Sequence, residues 1–104
     1  MNVVISLGGS VVFSDRPNVD LLKKLAKALP RKYSYGIVVG GGKIAGRYIE
    51  AGKKLKENNF DLDQLGITVT QANARLVKAA IPNAMFFTDI ERATSYLLGG
   101  GKAA

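Results

Sequence analysis

Apolar positions along this chain follow two rhythms, and the switches between them mark its elements. Asn2–Leu7 is a short run in which Val3, Val4 and Ile5 are adjacent, as in a buried parallel strand. It empties at once into Gly8-Gly9-Ser10. Pro17 and Asn18 then open a helix, with Val19, Leu22, Leu25, Ala26 and Leu29 on one face and Pro30 as its stop. Tyr35–Val39 predicts a second strand, which runs into Gly40-Gly41-Gly42. From Lys43 to about Lys56, Ile44, Tyr48, Ala51 and Leu55 recur at helical spacing until Glu57-Asn58-Asn59 break the pattern. Leu62, Leu65, Val69, Ala72, Leu76 and Ala79 mark a long third helix, softened near Gly66 and Ile67 and ended by Pro82. Ala84–Phe87 predicts a third strand. Thr88 and Glu91 have the spacing of a capping box for a fourth helix through Ile90, Ala93, Tyr96 and Leu97, which Gly99-Gly100-Gly101 ends.

The order β-α-β-α-α-β-α argues for an α/β fold, a parallel sheet with right-handed crossovers and helices on its faces. A triple glycine that would ordinarily feed another strand is followed only by Lys102-Ala103-Ala104, so residues 1–104 read as a single incomplete domain. Hydrophobic residues at 47% and charged ones at 22% are a globular balance, which disfavours disorder. Cysteine and histidine are both absent, which removes disulfides, thiolate or imidazole metal sites and histidine-based triads. The apolar start is too short, and lacks the basic leader, for a targeting or membrane segment, so a cytoplasmic location is expected.

The net charge of +7 points to anionic partners. Its densest stretch is Lys23, Lys24, Lys27, Arg31 and Lys32. A nucleic-acid surface would interleave aromatics, and only Tyr33 and Tyr35 are near. A solvated helix face accounts for it more simply, as it does for Lys53, Lys54 and Lys56, and a nucleic-acid partner is disfavoured.

The two glycine bends carry the chemical signal. Glycine permits positive φ and brings no Cβ, so successive backbone N–H groups can converge on an anion. A helix start adds unpaired N–H groups and partial positive charge. Lys43, directly after the second bend, is a candidate for an electrostatic role. Both bends lie at the carboxyl ends of their strands, where open α/β sheets bind ligands. The P-loop pattern fails, because Ile37 and Ile44 stand where it needs Gly and Ser or Thr. Gly40, Gly42 and Ala45 match the dinucleotide pattern only weakly, since no acidic residue ends a following strand.

The runs Val3-Val4-Ile5-Ser6-Leu7-Gly8-Gly9-Ser10-Val11 and Val38-Val39-Gly40-Gly41-Gly42-Lys43-Ile44-Ala45 resemble the amino-acid kinase family. Tyr48–Gly52, Leu65–Thr70 and Asn73–Leu76 are similar to its archaeal uridylate kinase branch. The resemblance covers essentially this whole chain and about the first half of that family's length. It implies a three-layer αβα sandwich that transfers the γ-phosphoryl group of ATP to UMP, with Mg²⁺ accompanying ATP and assembly as dimers that build hexamers. Carried over by position, Gly9, Ser10, Gly42 and Arg47 would face ATP phosphates, and Gly41 and Asp63 would bind UMP. Asn73 and Arg75 read as structural or interfacial.

Three departures qualify this. Ser6 stands where many relatives carry lysine, Gly46 replaces an arginine that here comes one residue later as Arg47, and the adenine-binding half has no counterpart after Lys102. A one-residue shift turns a helical side chain by about 100°. Little turnover by this chain alone is therefore expected. The alternatives are a non-catalytic nucleotide-binding or self-assembling fragment, and a related kinase with another phosphate acceptor.

Overall fold

A computed structural model describes residues 2–99 of the chain. Two strands, β1 (Asn2–Leu7) and β2 (Ser34–Val39), pair in parallel, with Val3 opposite Tyr35, Ile5 opposite Ile37 and Leu7 opposite Val39. Side chains alternate across a strand, so those six share one face. That face meets α1 (Gly9–Val12), α2 (Val19–Ala28) and the C-terminal part of α4 (Asn59–Ala80), around a core of Val12, Leu22, Val77 and Ile81. Val12 is fully buried, which contributes about 2 kcal/mol. The opposite face carries α5 (Ile90–Leu98), whose Leu97 lies over Gly36. Helices thus lie on both faces of a parallel sheet, as the α/β pattern requires.

Helix α3 (Gly42–Lys54) pairs with α4, and Gly52 is their point of close approach. A Cβ there would lie 2.7 Å from Leu62 Cδ2 and 3.0 Å from Leu65 Cδ1. Both are ends of flexible side chains, and alanine gains helix propensity over glycine. We expect Gly52→Ala to change stability by no more than about 1 kcal/mol in urea denaturation.

Four local expectations are corrected. The chain turns helical at Gly9 itself, giving the short α1 that the glycine bend concealed. Helix α4 begins at Asn59 rather than Leu62, because the Asn58 side chain accepts a hydrogen bond from the Asp61 N–H at 2.8 Å. It continues unbroken through Gly66 and Ile67. Asp89, not Thr88, caps α5 by accepting from the Glu91 N–H at 2.8 Å.

Ala84–Phe87 does not join the sheet, which is two-stranded among the described residues. Within the segment only Ala84 makes a single β-bridge, and residues 85–87 extend it into no ladder. Side chains hold the rest: Ala84 packs on the core, and the Arg75 guanidinium sits 4.2 Å from the centre of the Phe86 ring. Of the predicted terminal glycine run, Gly99 follows α5, while Gly100, Gly101 and the residues after them lie outside the described residues. No described helix is long and apolar enough to cross a membrane.

Candidate functional site

The strand register decides where the two glycine bends go. With Leu7 opposite Val39, the next residues of each strand, Gly8 and Gly40, emerge side by side, on strands roughly 4.8 Å apart. The Gly40 N–H donates to the Leu7 carbonyl at 3.0 Å and locks the two exits together. Beyond that bond the backbones touch. A Cβ on Gly9 would stand 2.3 Å from both the Gly41 carbonyl carbon and the Gly42 nitrogen. A Cβ on Gly42 would stand 2.5 Å from the Ser10 nitrogen, and Gly42 has a φ of +65°, which L side chains rarely adopt. The bends form one backbone structure, and only glycine allows it.

Side chains fix this structure from two sides. Ser10 Oγ accepts from the Lys43 N–H at 3.3 Å, tying α1 to the first turn of α3. Asn73, buried on α4, donates from Nδ2 to the Gly40 carbonyl at 3.0 Å and to the Gly41 carbonyl at 3.4 Å. With these carbonyls held away, the amides of Gly9, Ser10, Gly41 and Gly42 have no acceptor among the described residues. Gly42 and Lys43 open a 13-residue helix, so its macrodipole adds partial positive charge at the same place.

One edge of this structure opens into a crevice of about 1090 Å³ between α3, α4, α5 and the exposed face of the sheet. Gly41, Gly42 and Asp63 line it together, with Thr70 and Gln71 from α4 and Thr88 from the segment before α5. Gly9 and Ser10 border its neck through their contact with Gly42. Lys43 is exposed beside the bend. Arg47 is also exposed and is not part of the crevice lining. Six of the seven candidate residues are therefore at or next to the bends and crevice, and Arg47 stands apart.

Asn73, expected to be structural or interfacial, is the clamp on the second bend. Thr70 went unnoticed. Its hydroxyl donates to the Gly66 carbonyl at 3.0 Å, and its Oγ1 lies 2.7 Å from where a Gly41 Cβ would be. The spacing Thr70-x-x-Asn73 puts both on the helix face toward the bend, a hint available only once that face is known.

Residues 1–91 match the family model described as the amino acid kinase family. A curated uridylate kinase of Thermococcus onnurineus (strain NA1) is 40% identical over 84 residues, covering 78% of this chain and 37% of that protein. One from Halorubrum lacusprofundi is 45% identical over 85 residues, covering 78% and 35%. The crystal structure of uridylate kinase from Archaeoglobus fulgidus superposes with a TM-score of 0.81 at 32% identity, covering 99% of this chain and 49% of that one. The chain thus spans less than half the length of these relatives. Since the matched residues 1–91 contain both glycine bends and the helix that clamps them, the chain belongs to the amino acid kinase family.

Proposed function

We propose that this chain carries the phosphate-cradling part of a UMP kinase, which transfers a phosphoryl group from ATP to UMP. The observation that carries the reading is the fusion of the two glycine bends, with four unpaired amides at one junction. Phosphoryl transfer asks chiefly for two phosphates held in line and for donors aimed at the charge between them. In this reading the amides of Gly9, Ser10 and Gly42 hold ATP phosphates, while Gly41 and Asp63 hold UMP in the crevice. Lys43 supplies a mobile positive charge. Arg47, exposed and outside the crevice, would have to swing in to meet ATP.

No group of three acidic or other metal-binding side chains comes together among the described residues, so they offer no ready-made Mg²⁺ site. Mg²⁺ is then bound mainly by ATP phosphates, as is common for this ion, and no step is assigned to it. The chain is read as the UMP-side part of one domain, in keeping with its matching less than half of each relative, and turnover is proposed to need the remainder. Self-association into dimers is part of the same proposal.

The test is binding and turnover measured on one sample. UMP titrated calorimetrically into the chain is expected to bind, and a coupled assay with ATP and Mg²⁺ to show little ADP. In Gly41→Val the new side chain meets Ala45 Cβ at 2.6 Å and Thr70 Oγ1 at 2.7 Å, at the crevice wall. UMP affinity should fall at least about tenfold, equivalent to about 1.4 kcal/mol. UMP binding unchanged by Gly41→Val would place the nucleotide elsewhere and defeat the proposal.

A further inference from the structure

At the other end of the sheet a second hollow, of about 810 Å³, lies between the end of α2, the turn that follows it and the end of α4. Lys23, Lys27 and Arg31 line it together with Tyr33 and Tyr35, and Ala80 and Ile81 contribute an apolar side. Tyr35 is the second residue of β2 and Gly40 follows the strand, so about 17 Å of strand separates this hollow from the glycine bends. The two are separate places.

Three features distinguish the hollow from a merely solvated basic face. No carboxylate lines it. The ion pair found among the described residues, Lys54 with Glu50, involves none of its cations. Lys23 and Lys27 are also one helical turn apart, a spacing at which like charges oppose helix formation. Helix-dipole complementarity accounts for Lys27, in the last turn of α2. It does not account for Lys23, a turn earlier, or for Arg31, beyond the helix.

The aromatic wall is fixed in place. Tyr35 is buried and its hydroxyl donates to the Pro30 carbonyl at 2.6 Å, which holds the turn carrying Arg31 against β2. Burial, and then Tyr33 beside it, push the Tyr35 phenol up, which keeps that donor protonated. The Tyr33 ring stands edge-on to Tyr35 at 6.4 Å, with Lys32 Nζ 5.0 Å from its centre. Asn83 closes another side from a left-handed conformation, φ +62°.

Cations without counter-charges, a ring wall and an apolar side define a ligand with an anionic end and a flat end. The volume is that of a small-molecule pocket rather than of a track for a polymer. We propose that this hollow binds a nucleoside phosphate, with its phosphates on Lys23, Lys27 and Arg31 and its ring against Tyr33.

ATP titrated into the ¹⁵N-labelled 104-residue chain tests this by NMR. Saturable shifts are expected at Lys27, Arg31 and Tyr33, on a curve separate from any at Gly9, Gly41 and Gly42. In the Lys27→Glu/Arg31→Glu double variant, both exposed positions, Kd at this hollow should rise at least tenfold while the spectrum keeps its folded dispersion. Lys27→Gln/Arg31→Gln should give a smaller rise in the same direction. Absence of shifts at Lys27–Tyr33 overturns the proposal, whatever happens at the glycines. Equal affinity for uridine would overturn the phosphate contacts, and equal affinity for tripolyphosphate would overturn the ring contact. Preference for a ten-nucleotide uridine RNA over ATP would overturn the small-ligand assignment.

Discussion

Gly9→Ala is expected to destabilise the chain by about 3 kcal/mol or more, a fall in Tm of at least roughly 12 °C, and to abolish nucleotide binding with it. The added methyl would stand 2.3 Å from two backbone atoms of the second bend and 2.5 Å from the Gly40 carbonyl oxygen. No rotamer relieves a clash with backbone, so β1 and β2 must part where they leave the sheet. Gly46→Ala is the natural control. Nothing lies within 4 Å of its added Cβ, and it sits inside α3, so a gain of up to about 1 kcal/mol is expected. Thermal melts of the two variants should therefore move in opposite directions. A Gly9→Ala protein that melts within a few degrees of the parent would mean that the bends are not in contact.

Asn73→Asp should have the next largest effect, a loss of about 2–4 kcal/mol measured by urea denaturation. An ionised carboxylate only accepts hydrogen bonds, and at this position it would face two carbonyl oxygens that now receive the amide's hydrogens. It would also be a charge at a site only 5% exposed. Asn73→Ala removes the donors without adding charge and should lose less, about 1–3 kcal/mol. If both variants keep parental stability but lose UMP binding, the clamp positions the bend without holding the fold. If neither property changes, the two hydrogen bonds are incidental.

The sequence made the bends legible because glycines at strand ends followed by helical spacing constitute a local pattern. Their contact was not legible. It depends on a parallel register that sets Gly8 beside Gly40 and on an amide arriving from Asn73, more than thirty residues along the chain. The amphipathic helices were readable for the same local reason, while their ends moved wherever a short polar side chain capped a helix, as Asn58 and Asp89 do. The third strand misled because Ala84–Phe87 is apolar enough to be buried in either state. Pairing is settled by whether a neighbour's free edge is within reach, which composition does not encode. Tyr33 and Tyr35 were noticed beside the basic stretch, but α4 brings Ala80 and Ile81 to them from the far end of the chain and makes a hollow of a face.

Helix α4 has 22 residues, about 33 Å of rod in a molecule whose longest extent is 49 Å. Residues from Asp63 to Ala74 wall the crevice by the glycines, and Ala80 reaches the basic hollow. Leu62, Asn73 and Val77, all buried, hold the rod along its length. One rigid element thus forms a wall of both compartments, so a substitution that shortened or broke it would be felt at both ends of the molecule.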